Sequence, residues 1–437
     1  MNTQPKIIVL DDDPTGSQTV HGCLLLMRWD VETLQLGLAD DSPIFFILTN
    51  TRALSPTQAA AVTQAVIHNL KAAIAAQGVE DFLIVSRSDS TLRGHYPIET
   101  DVIAEELGEV DAHFLVPAFF EGGRMTVDST HYLLVDGVPI PVHQTEFAQD
   151  SVFGYHHSYL PDYVAEKTQG RITADAVERF GLSDVRAGTQ ERLMKFTGNQ
   201  CVAVDAQTQD DLDRFAQDVL AAVRSGKRFL FRSAASLLTS LASLPEQPTN
   251  PEEMAKYRTT SQPGVVLVGS HVQKTTQQLQ QLLREPGVTP IEVDVVRLRQ
   301  SEPEALRSDI LAQVQQAYQQ QQTPVIYTSR EELTFSSVQE RLDFGAVVSS
   351  LLMSIVRELP REISFLVSKG GITSNDVLST GLSLRSARLL GQILPGCSIV
   401  RTPADHPRPH LPVVLFPGNV GDTQALVTVY HRLQGDR

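Results

Sequence analysis

The chain has 437 residues, of which 42% are hydrophobic and 20% charged, an ordinary balance for globular proteins. At about 100–200 residues per domain, this length predicts two domains rather than one hydrophobic core. The formal net charge of −15 disfavours general binding to nucleic acid or anionic membranes, and no apolar run reaches the roughly 18 residues of a spanning helix.

The N-terminal residues Met1–Pro5 are polar, and an apolar, strand-like run begins at Lys6. This start leaves no room for a signal peptide, so we expect a cytoplasmic protein. The three cysteines, Cys23, Cys201 and Cys397, lie far apart and form no CxxC pair. That pattern disfavours both a disulfide framework and a thiolate zinc site.

Short β-rich apolar runs alternate with helical patterns in the first half, which predicts a mainly parallel sheet flanked by helices. We expect strands at Lys6–Asp11, Pro43–Leu48, Asp81–Ser86, His113–Pro117, Gln200–Val204 and Arg228–Phe231. We expect helices over Thr57–Gln77, Ile98–Leu107 and Gln209–Arg224. Ser55 and Pro56 fit the cap and the first turn of the first helix.

The composition becomes proline-rich and polar between Leu244 and Gln262, which predicts an interdomain linker. The predicted domains are therefore 1–245 and 263–437, joined by a linker over 246–262. The alternating pattern then resumes with predicted strands at Gly264–Val268, Ile291–Val293, Pro324–Thr328, Ile363–Val367, Ser398–Val400 and Val413–Phe416. Predicted helices are Lys274–Arg284, Pro303–Gln320, Phe344–Glu358 and Asp422–Leu433.

Ligands of such sheets bind at the carboxyl ends of the strands, so the loops that follow the strands are candidate sites. The first strand ends in Asp11-Asp12-Asp13-Pro14-Thr15-Gly16. Adjacent carboxylates repel one another, and such a cluster suits Mg²⁺ coordination or a carboxylate base that takes a proton from a hydroxyl. An acidic helix cap followed by a turn is the alternative interpretation.

The third strand ends in the sequence SRSDSTLRG, residues 86–94. Arginine binds a carboxylate with two parallel hydrogen bonds, while serine, threonine and aspartate bind hydroxyls. Arg52 and Arg124 follow the second and fourth strands and add further cations. Together these loops indicate a pocket for a small hydroxylated acid, although a surface turn with an Arg–Asp pair remains an alternative.

Three strands of the second half end in glycine-bearing turns, at Gly269-Ser270, Lys369–Thr373 and Gly418–Gly421. Glycines between a strand and a helix let backbone N–H groups approach phosphate oxygens, and Lys369 could add a charge. Gly264 and Gly269 have the spacing of a Walker A pair, but Ser270 stands where lysine is required, and no GxGxxG follows a strand. Simple turns are the alternative, and no metal ligands can be assigned.

Taken together, the motifs DDDPTG, SRSDSTLRG, PAFFEGGR, KGGIT and PGNVG resemble the four-carbon acid sugar kinases over nearly the whole chain and in the same order. The resemblance implies a sugar-acid-binding N-terminal domain, an ATP-binding C-terminal domain and an active site in the cleft between them. It also implies Mg²⁺-dependent phosphorylation of the terminal hydroxyl of threonate, erythronate or an oxo-tetronate.

Carried over residue by residue, the resemblance places Asp12 and Asp13 on the family's paired catalytic aspartates. The expected substrate-binding residues are Arg52, Asp89, Ser90, Thr91, Arg93 and Arg124. The expected nucleotide-binding residues are Ser270, Lys369, Gly370, Gly371, Ile372, Thr373, Gly418, Asn419 and Gly421.

Two positions depart from the family pattern. Many members have lysine where this chain has Arg87, and many have lysine near the final glycine loop, where this chain has Phe416 and Pro417. The positive charge is retained at the first position and lost at the second. We therefore expect Lys369 to carry more of the charge at the phosphates.

Two other functions remain open from the sequence: a phosphatase or phosphotransferase with an aspartate nucleophile, and a non-catalytic sugar-acid sensor. The expected ligands are a small sugar acid and ATP, with neither nucleic acid nor membrane as a partner. The sequence leaves open the stereoisomer of the acid, the hydroxyl that is phosphorylated, which aspartate is the base, and whether the chain forms a homodimer.

Overall fold

The computed structural model describes residues 4–108, 110–300, 303–330 and 333–435. The chain divides into two compact units, Met1–Glu246 and Gln247–Arg437. Most of the stretch predicted as a linker groups with the second unit. There, Pro251–Tyr257 form a 3₁₀ helix, and Met254 is fully buried in the core.

The first unit combines parallel strands, helices and a small antiparallel sheet. Its strands are β1 (Lys6–Asp11), β2 (Leu24–Leu26), β3 (Ile44–Leu48), β4 (Phe82–Arg87), β5 (Ala112–Val116), β6 (Arg124–Val127), β7 (Thr130–Val135), β8 (Val138–Pro141), β9 (Glu178–Phe180), β10 (Gln200–Val204) and β11 (Phe229–Ser233). Its helices are α1 (Val31–Ala39), α2 (Pro56–Gln77), α3 (Ile98–Leu107), α4 (Leu160–Lys167), α5 (Leu182–Ala187), α6 (Gln190–Leu193), α7 (Gln209–Arg224) and α8 (Ala235–Ala242).

The main sheet of this unit is parallel throughout. Its strands lie in the order β2-β3-β1-β4-β11-β5-β10-β9, and every neighbouring pair is parallel. Strands covered on both faces favour continuous apolar runs, as in the fully buried IFFIL of β3. The chain leaves β1 toward β2 and β3 on one side and later adds β4 on the other. The carboxyl end of β1 is therefore a topological switch point, where ligands of such sheets bind.

Local signals define α2 and the small sheet. The Ser55 side chain accepts a hydrogen bond from the backbone N–H of Gln58, the Gln58 side chain accepts one from the backbone N–H of Ser55, and Gly78 ends the helix with a φ of 64°. The order β6-β7-β8 forms the antiparallel sheet, whose β6–β7 turn has left-handed residues at Asp128 and Ser129. We did not predict this sheet from the sequence.

The second unit has a mixed sheet. Its strands are β12 (Val265–Val268), β13 (Val288–Val293), β14 (Thr323–Thr328), β15 (Leu366–Lys369), β16 (Ser386–Leu394), β17 (Cys397–Arg401) and β18 (Pro412–Phe416). Its helices are α9 (Gln273–Leu282), α10 (Val295–Gln300), α11 (Pro303–Gln319), α12 (Val338–Glu358), α13 (Gly371–Asp376) and α14 (Ala425–Gln434), and a π-helical turn, Val377–Gly381, follows α13.

Within this unit the order is β13-β14-β12-β15-β18-β17-β16. The pairs from β13 to β18 are parallel, and β17 and β16 continue the sheet antiparallel. The predicted α/β class with two mainly parallel sheets is confirmed. The switch point of this sheet lies between β12 and β15, so the loops after these two strands meet. Among the described residues, no helix is both long enough and apolar enough to cross a bilayer.

Candidate active site

The carboxylates after β1 are paired with arginines from the neighbouring strands. Arg52, which follows β3, donates from Nη2 and Nε to the two oxygens of Asp12 at 2.5 and 3.1 Å. Its Nη1 lies 3.3 Å from Asp13 Oδ2. Arg87, the last residue of β4, lies 3.3 Å from Asp11 Oδ1 and 3.7 Å from Asp12 Oδ1. These contacts offset the repulsion between adjacent carboxylates.

Residues 89–94, here called the Asp89 loop, form a second charged group beside the first. The Asp89 carboxylate accepts hydrogen bonds from the backbone N–H and the hydroxyl of Thr91 and, at 2.8 Å, from Arg93 Nε. Its other oxygen lies 4.0 Å from Arg52 Nη1, which links the two loops. Arg93 also stacks on the Phe147 ring at 4.9 Å.

Arg124 differs from the other arginines of this region because no carboxylate pairs with it among the described residues. Arg232 pairs with Glu99 at 2.5 Å, which leaves Arg124 as the exception. Arg124 Nη1 donates to the Gly122 carbonyl, and its buried Nε has no hydrogen-bond partner in the described part of the chain. Burial lowers the pKa of Arg124, the effect of desolvating a cation that lacks a paired charge. Such a group favours the binding of an anion.

The three consecutive aspartates differ in pKa. Burial raises the pKa of Asp11 to about 7, with the nearby Arg87 acting against it. Burial also raises the pKa of Asp12, although Arg52 opposes the shift. Burial acts in the same direction on Asp13, but Arg52 and the hydrogen bonds from Thr15 outweigh it and lower the pKa. Asp13 therefore stays ionised, and its side chain is 22% exposed, compared with 2% for Asp12.

The fit of a metal ion to this unit is poor. Among the described residues, no group of three or more acidic, histidine or cysteine side chains has the geometry to hold one. The acidic cluster that suggested Mg²⁺ coordination from sequence is instead paired with Arg52 and Arg87.

The second unit contains a cavity of about 770 Å³ at the carboxyl ends of β12 and β15. One side is formed by α12, where Phe344, Val348 and Leu352 repeat every four residues and so share a helix face. The other side is polar and includes Ser270, Gly370, Gly371 and Thr373. A cavity with one apolar and one polar side suits a ligand that carries both a planar base and phosphates.

The glycines of this cavity allow a close approach between the loops after β12 and β15. A Cβ atom on Gly269 would lie 2.2 Å from Thr373 Oγ1, and Gly370 has a φ of 126°, which is open to glycine. The N–H groups of Gly269 and Gly370 already donate within the chain, to the carbonyl oxygens of Lys369 at 3.2 Å and Phe416 at 2.8 Å, and the next residue, Gly371, begins α13. This arrangement fits oxyanions such as phosphates.

Sequence reasoning missed Arg330, which follows β14 and lines the same cavity. Its Nη1 lies 2.5 Å from the Ser270 carbonyl oxygen and its Nε 3.0 Å from that of Thr328. It has no carboxylate partner among the described residues, and burial lowers its pKa. Its position after a predicted strand, in the stretch Thr328-Ser329-Arg330, could have indicated a site residue. The stretch contains no glycine, however, and glycine was the feature by which we chose the other loops of this unit.

Lys369, whose contact with phosphate stays a prediction, binds backbone carbonyl groups in the structure. It is fully buried, does not line the cavity, and donates through Nζ to the carbonyl oxygens of Pro417 and Gly418 at 2.5 and 3.2 Å. Its Nζ also lies 3.8 Å from the centre of the Phe416 ring. Burial lowers the pKa of Lys369 to about 7. Its contacts therefore hold the final glycine loop.

The structure brings most of the expected residues together within each unit. In the first, contacts connect Asp12, Asp13, Arg52, Asp89, Thr91 and Arg93. Ser90 is buried, and its carbonyl oxygen accepts a hydrogen bond from His131. In the second, Ser270, Gly370, Gly371, Ile372 and Thr373 line the cavity. Gly418 adjoins Ser270, whereas Asn419 and Gly421 are exposed and outside the cavity lining.

Comparison with known families divides the chain in the same way. Residues 7–241 match a family described as a sugar-binding N-terminal domain, and residues 265–426 match one described as a nucleotide-binding C-terminal domain.

Two named kinases are similar to parts of the chain. A D-erythronate kinase of Heliobacterium modesticaldum is 31% identical over 222 residues, which cover 48% of this chain and 47% of that protein. A D-threonate kinase of Bordetella bronchiseptica is 29% identical over 165 residues, or 36% of this chain and 38% of that protein. The matched part of the chain thus spans less than half the length of either relative.

Two solved structures share the fold over almost their entire length. One is described as a putative tRNA synthase from Salmonella typhimurium LT2, with a TM-score of 0.72, 19% identity and coverage of 98% of both chains. The other is a Haemophilus influenzae protein, with a TM-score of 0.66, 15% identity and coverage of 97% of this chain and 99% of that one. At these identities the likeness extends to the fold alone.

Proposed function

The chain belongs to the four-carbon acid sugar kinase family, and we propose that it transfers the γ-phosphoryl group of ATP to the terminal hydroxyl of a four-carbon sugar acid. The threonate and erythronate types are the favoured acids, since the two named relatives act on these. The observation that carries the proposal is the guanidinium of Arg124, which has no paired carboxylate among the described residues and lies close enough to Asp89 and Arg93 for their charges to affect its pKa.

In the first unit, we assign Arg124 to the carboxylate of the acid. Arg52 and Arg93 already pair with Asp12 and Asp89, so a second anion would compete with existing ion pairs for them. The carboxylate of Asp89 and the hydroxyl of Thr91 are then available to the hydroxyl groups of the acid. Of the three arginines expected to bind the substrate, this division assigns Arg124 to the carboxylate and leaves Arg52 and Arg93 with their aspartates.

We assign Asp13 as the group that accepts the proton of the attacking hydroxyl. It is the more exposed of the two family aspartates, and its lowered pKa keeps it ionised at neutral pH. An ionised carboxylate orients a hydroxyl by accepting its hydrogen bond and takes the proton as the new O–P bond forms. Asp12, held on both oxygens by Arg52, positions Arg52 instead.

In the second unit, we assign the cavity beside α12 to ATP. The apolar face of α12 would contact the base, while Ser270, Thr373 and the backbone at Gly371 would contact phosphates. Arg330 would add a positive charge there. Mg²⁺, when bound, would neutralise phosphate charge, and the carboxylate of Asp376, which lines the cavity, would be a candidate ligand.

The test is an assay of the purified protein with ATP and Mg²⁺ against the D and L forms of threonate and erythronate and their oxo derivatives. We expect ADP release that depends on the acid, with a phosphate monoester as the second product. ADP release without any dependence on these acids, or none at all from a folded protein, would overturn the proposal.

The same assay separates the two alternatives left open by the sequence. A sensor binds an acid without ATP consumption, and a phosphatase with an aspartate nucleophile accumulates phosphorylated enzyme. The contacts disfavour Asp12 as this nucleophile, because Arg52 occupies both of its oxygens. Phosphoryl transfer requires that the two sites share a cleft, and this shared cleft stays a prediction.

A further inference from the structure

The backbone of the Asp89 loop is held from its buried side by three consecutive hydrogen bonds. Each of three successive carbonyl oxygens accepts a hydrogen bond from a different buried side chain. The pairs are His131 Nε2 with Ser90 O at 2.8 Å, the Tyr155 hydroxyl with Thr91 O at 2.6 Å, and the Tyr163 hydroxyl with Leu92 O at 2.8 Å. The three donors come from β7, the segment before α4, and α4 itself. Parts of the chain distant in sequence therefore converge on this loop.

The loop needs this support because its backbone is strained. Leu92 has a φ of 66°, in the left-handed region that is unfavourable for a residue with a side chain. Its side chain is buried in a cluster that includes Tyr96, Tyr155 and Tyr163. Strained conformations persist where the surrounding structure fixes them, and they concentrate at binding and catalytic sites.

The opposite side of the loop carries the groups assigned to the acid. The Asp89 carboxylate is oriented by the N–H of Thr91 and by Arg93 Nε, at 3.2 and 2.8 Å. A shift of the backbone at residues 90–92 would therefore move the Asp89 carboxylate and the Arg93 guanidinium together.

The three donors keep their protons across the working pH range. Burial lowers the pKa of His131 to about 4, so the ring is neutral, and the Thr126 hydroxyl lies 2.9 Å from Nδ1. With Nδ1 as the acceptor, Nε2 carries the hydrogen that Ser90 O receives. Burial raises the pKa of Tyr155 and of Tyr163, which therefore remain protonated.

We propose that His131, Tyr155 and Tyr163 are positioning residues for the sugar acid: by fixing three successive carbonyl oxygens, they hold the Asp89 carboxylate, together with the Arg93 guanidinium paired with it, in the arrangement that binds the acid. They touch neither substrate and act through the backbone of the loop. The expected effect on KM rests on the proposed function, whereas the expected effect on the loop does not depend on it.

The effect on the loop is tested without any substrate, by hydrogen–deuterium exchange in a peptide that covers residues 88–95. The variants Tyr155→Phe and Tyr163→Phe each remove one hydroxyl and leave the ring. Tyr96→Phe is the matched control, since Tyr96 packs in the same cluster but its hydroxyl, within the described part of the chain, contacts His113 and Cys201 at 3.4 and 3.9 Å and no carbonyl of the loop. A buried carbonyl left without its donor should speed exchange in this peptide on the order of tenfold in the two variants, but not in the control.

The kinetic test compares KM for the acid with KM for ATP. In both variants we expect KM for the acid to rise about tenfold while KM for ATP stays within twofold, because the loop lies in the sugar-binding unit. A purely structural role would change both constants, or neither, and would make Tyr96→Phe behave like the other two.

His131 provides a rescue experiment. His131→Gln places an amide N–H near the position of Nε2, whereas His131→Leu removes the donor. We expect KM for the acid to stay close to the wild-type value in the glutamine variant and to rise in the leucine variant.

The outcomes separate the two proposals. If the wild type phosphorylates no four-carbon acid but exchange in the loop still rises in Tyr155→Phe and Tyr163→Phe, the proposed function fails while the role in holding the loop survives. If loop exchange, or KM for the acid in an active enzyme, matches that of Tyr96→Phe, the positioning role is overturned.

Discussion

Substitution of Arg124 tests the assignment of the acid site most directly. Arg124→Met keeps most of the apolar stem but removes the guanidinium that lacks a carboxylate partner among the described residues. The expected result is a large rise in KM for the acid, because the incoming carboxylate would lose its charged donor. KM for ATP should not change, since the nucleotide cavity belongs to the other unit.

The magnitude follows from the contact that is lost. A hydrogen bond to a charged group contributes about 1.5–3 kcal/mol, and each 1.4 kcal/mol corresponds to a factor of about ten. One guanidinium–carboxylate contact therefore predicts a rise of roughly 10- to 150-fold in KM. Arg124→Lys keeps the charge but loses the planar fork, so an intermediate rise of about tenfold is expected.

The assay is steady-state kinetics with the acid and with the corresponding four-carbon polyol, which lacks the carboxylate. Arg124→Met should raise KM for the acid and leave the weak turnover of the polyol unchanged. Arg171→Met is the control, since Arg171 forms an exposed ion pair with Asp101 and such pairs contribute little. A rise of less than threefold for the acid, or an equal effect on acid and polyol, would refute the assignment of Arg124.

Three further predictions concern the base, the nucleotide and the buried carboxylate. Asp13→Asn should lower turnover by about 10²-fold or more while ATP still binds, and near-full turnover would remove Asp13 as the base. Arg330→Met should weaken ATP binding, measured by calorimetry, by roughly tenfold; an unchanged affinity would exclude a phosphate contact. The pKa of Asp11 is raised to about 7, so the protonated form stabilises the fold fully below about pH 4, and this contribution is lost as pH rises through 7. Asp11→Asn mimics the protonated form, so between pH 4 and 8 its free energy of unfolding should rise relative to that of the wild type, by at most about 1.4 kcal/mol per pH unit. If the free energies of unfolding of the two proteins change in parallel with pH, the prediction is wrong.

Much of the fold follows from local sequence patterns. The predicted bounds of β1, α3, β10 and α7 agree residue for residue with the structure. These elements combine an unambiguous apolar period with clear ends. Because the strands are parallel, their carboxyl ends lie at one edge of the sheet, which is why loops far apart in sequence could be predicted to form one site.

The pairing of charges within that site could not be predicted. The sequence shows which carboxylates and arginines follow the strands, but register and rotamers decide which of them meet. Arg124 stands out only because the other arginines are already paired in three dimensions. The same holds for His131, since a lone buried histidine in a strand has no sequence pattern that indicates its contact with Ser90 O.

Lys369 contacts the two residues at which this chain departs from the family pattern. Phe416 and Pro417 occupy the place where many family members carry a lysine. In the structure, the ring of Phe416 and the carbonyl of Pro417 receive the ammonium group of Lys369. The ammonium group also donates to the carbonyl oxygen of Gly418 and so holds the final glycine loop. Our proposal therefore assigns the positive charge at the phosphates to Arg330, which lines the cavity and has no carboxylate partner among the described residues.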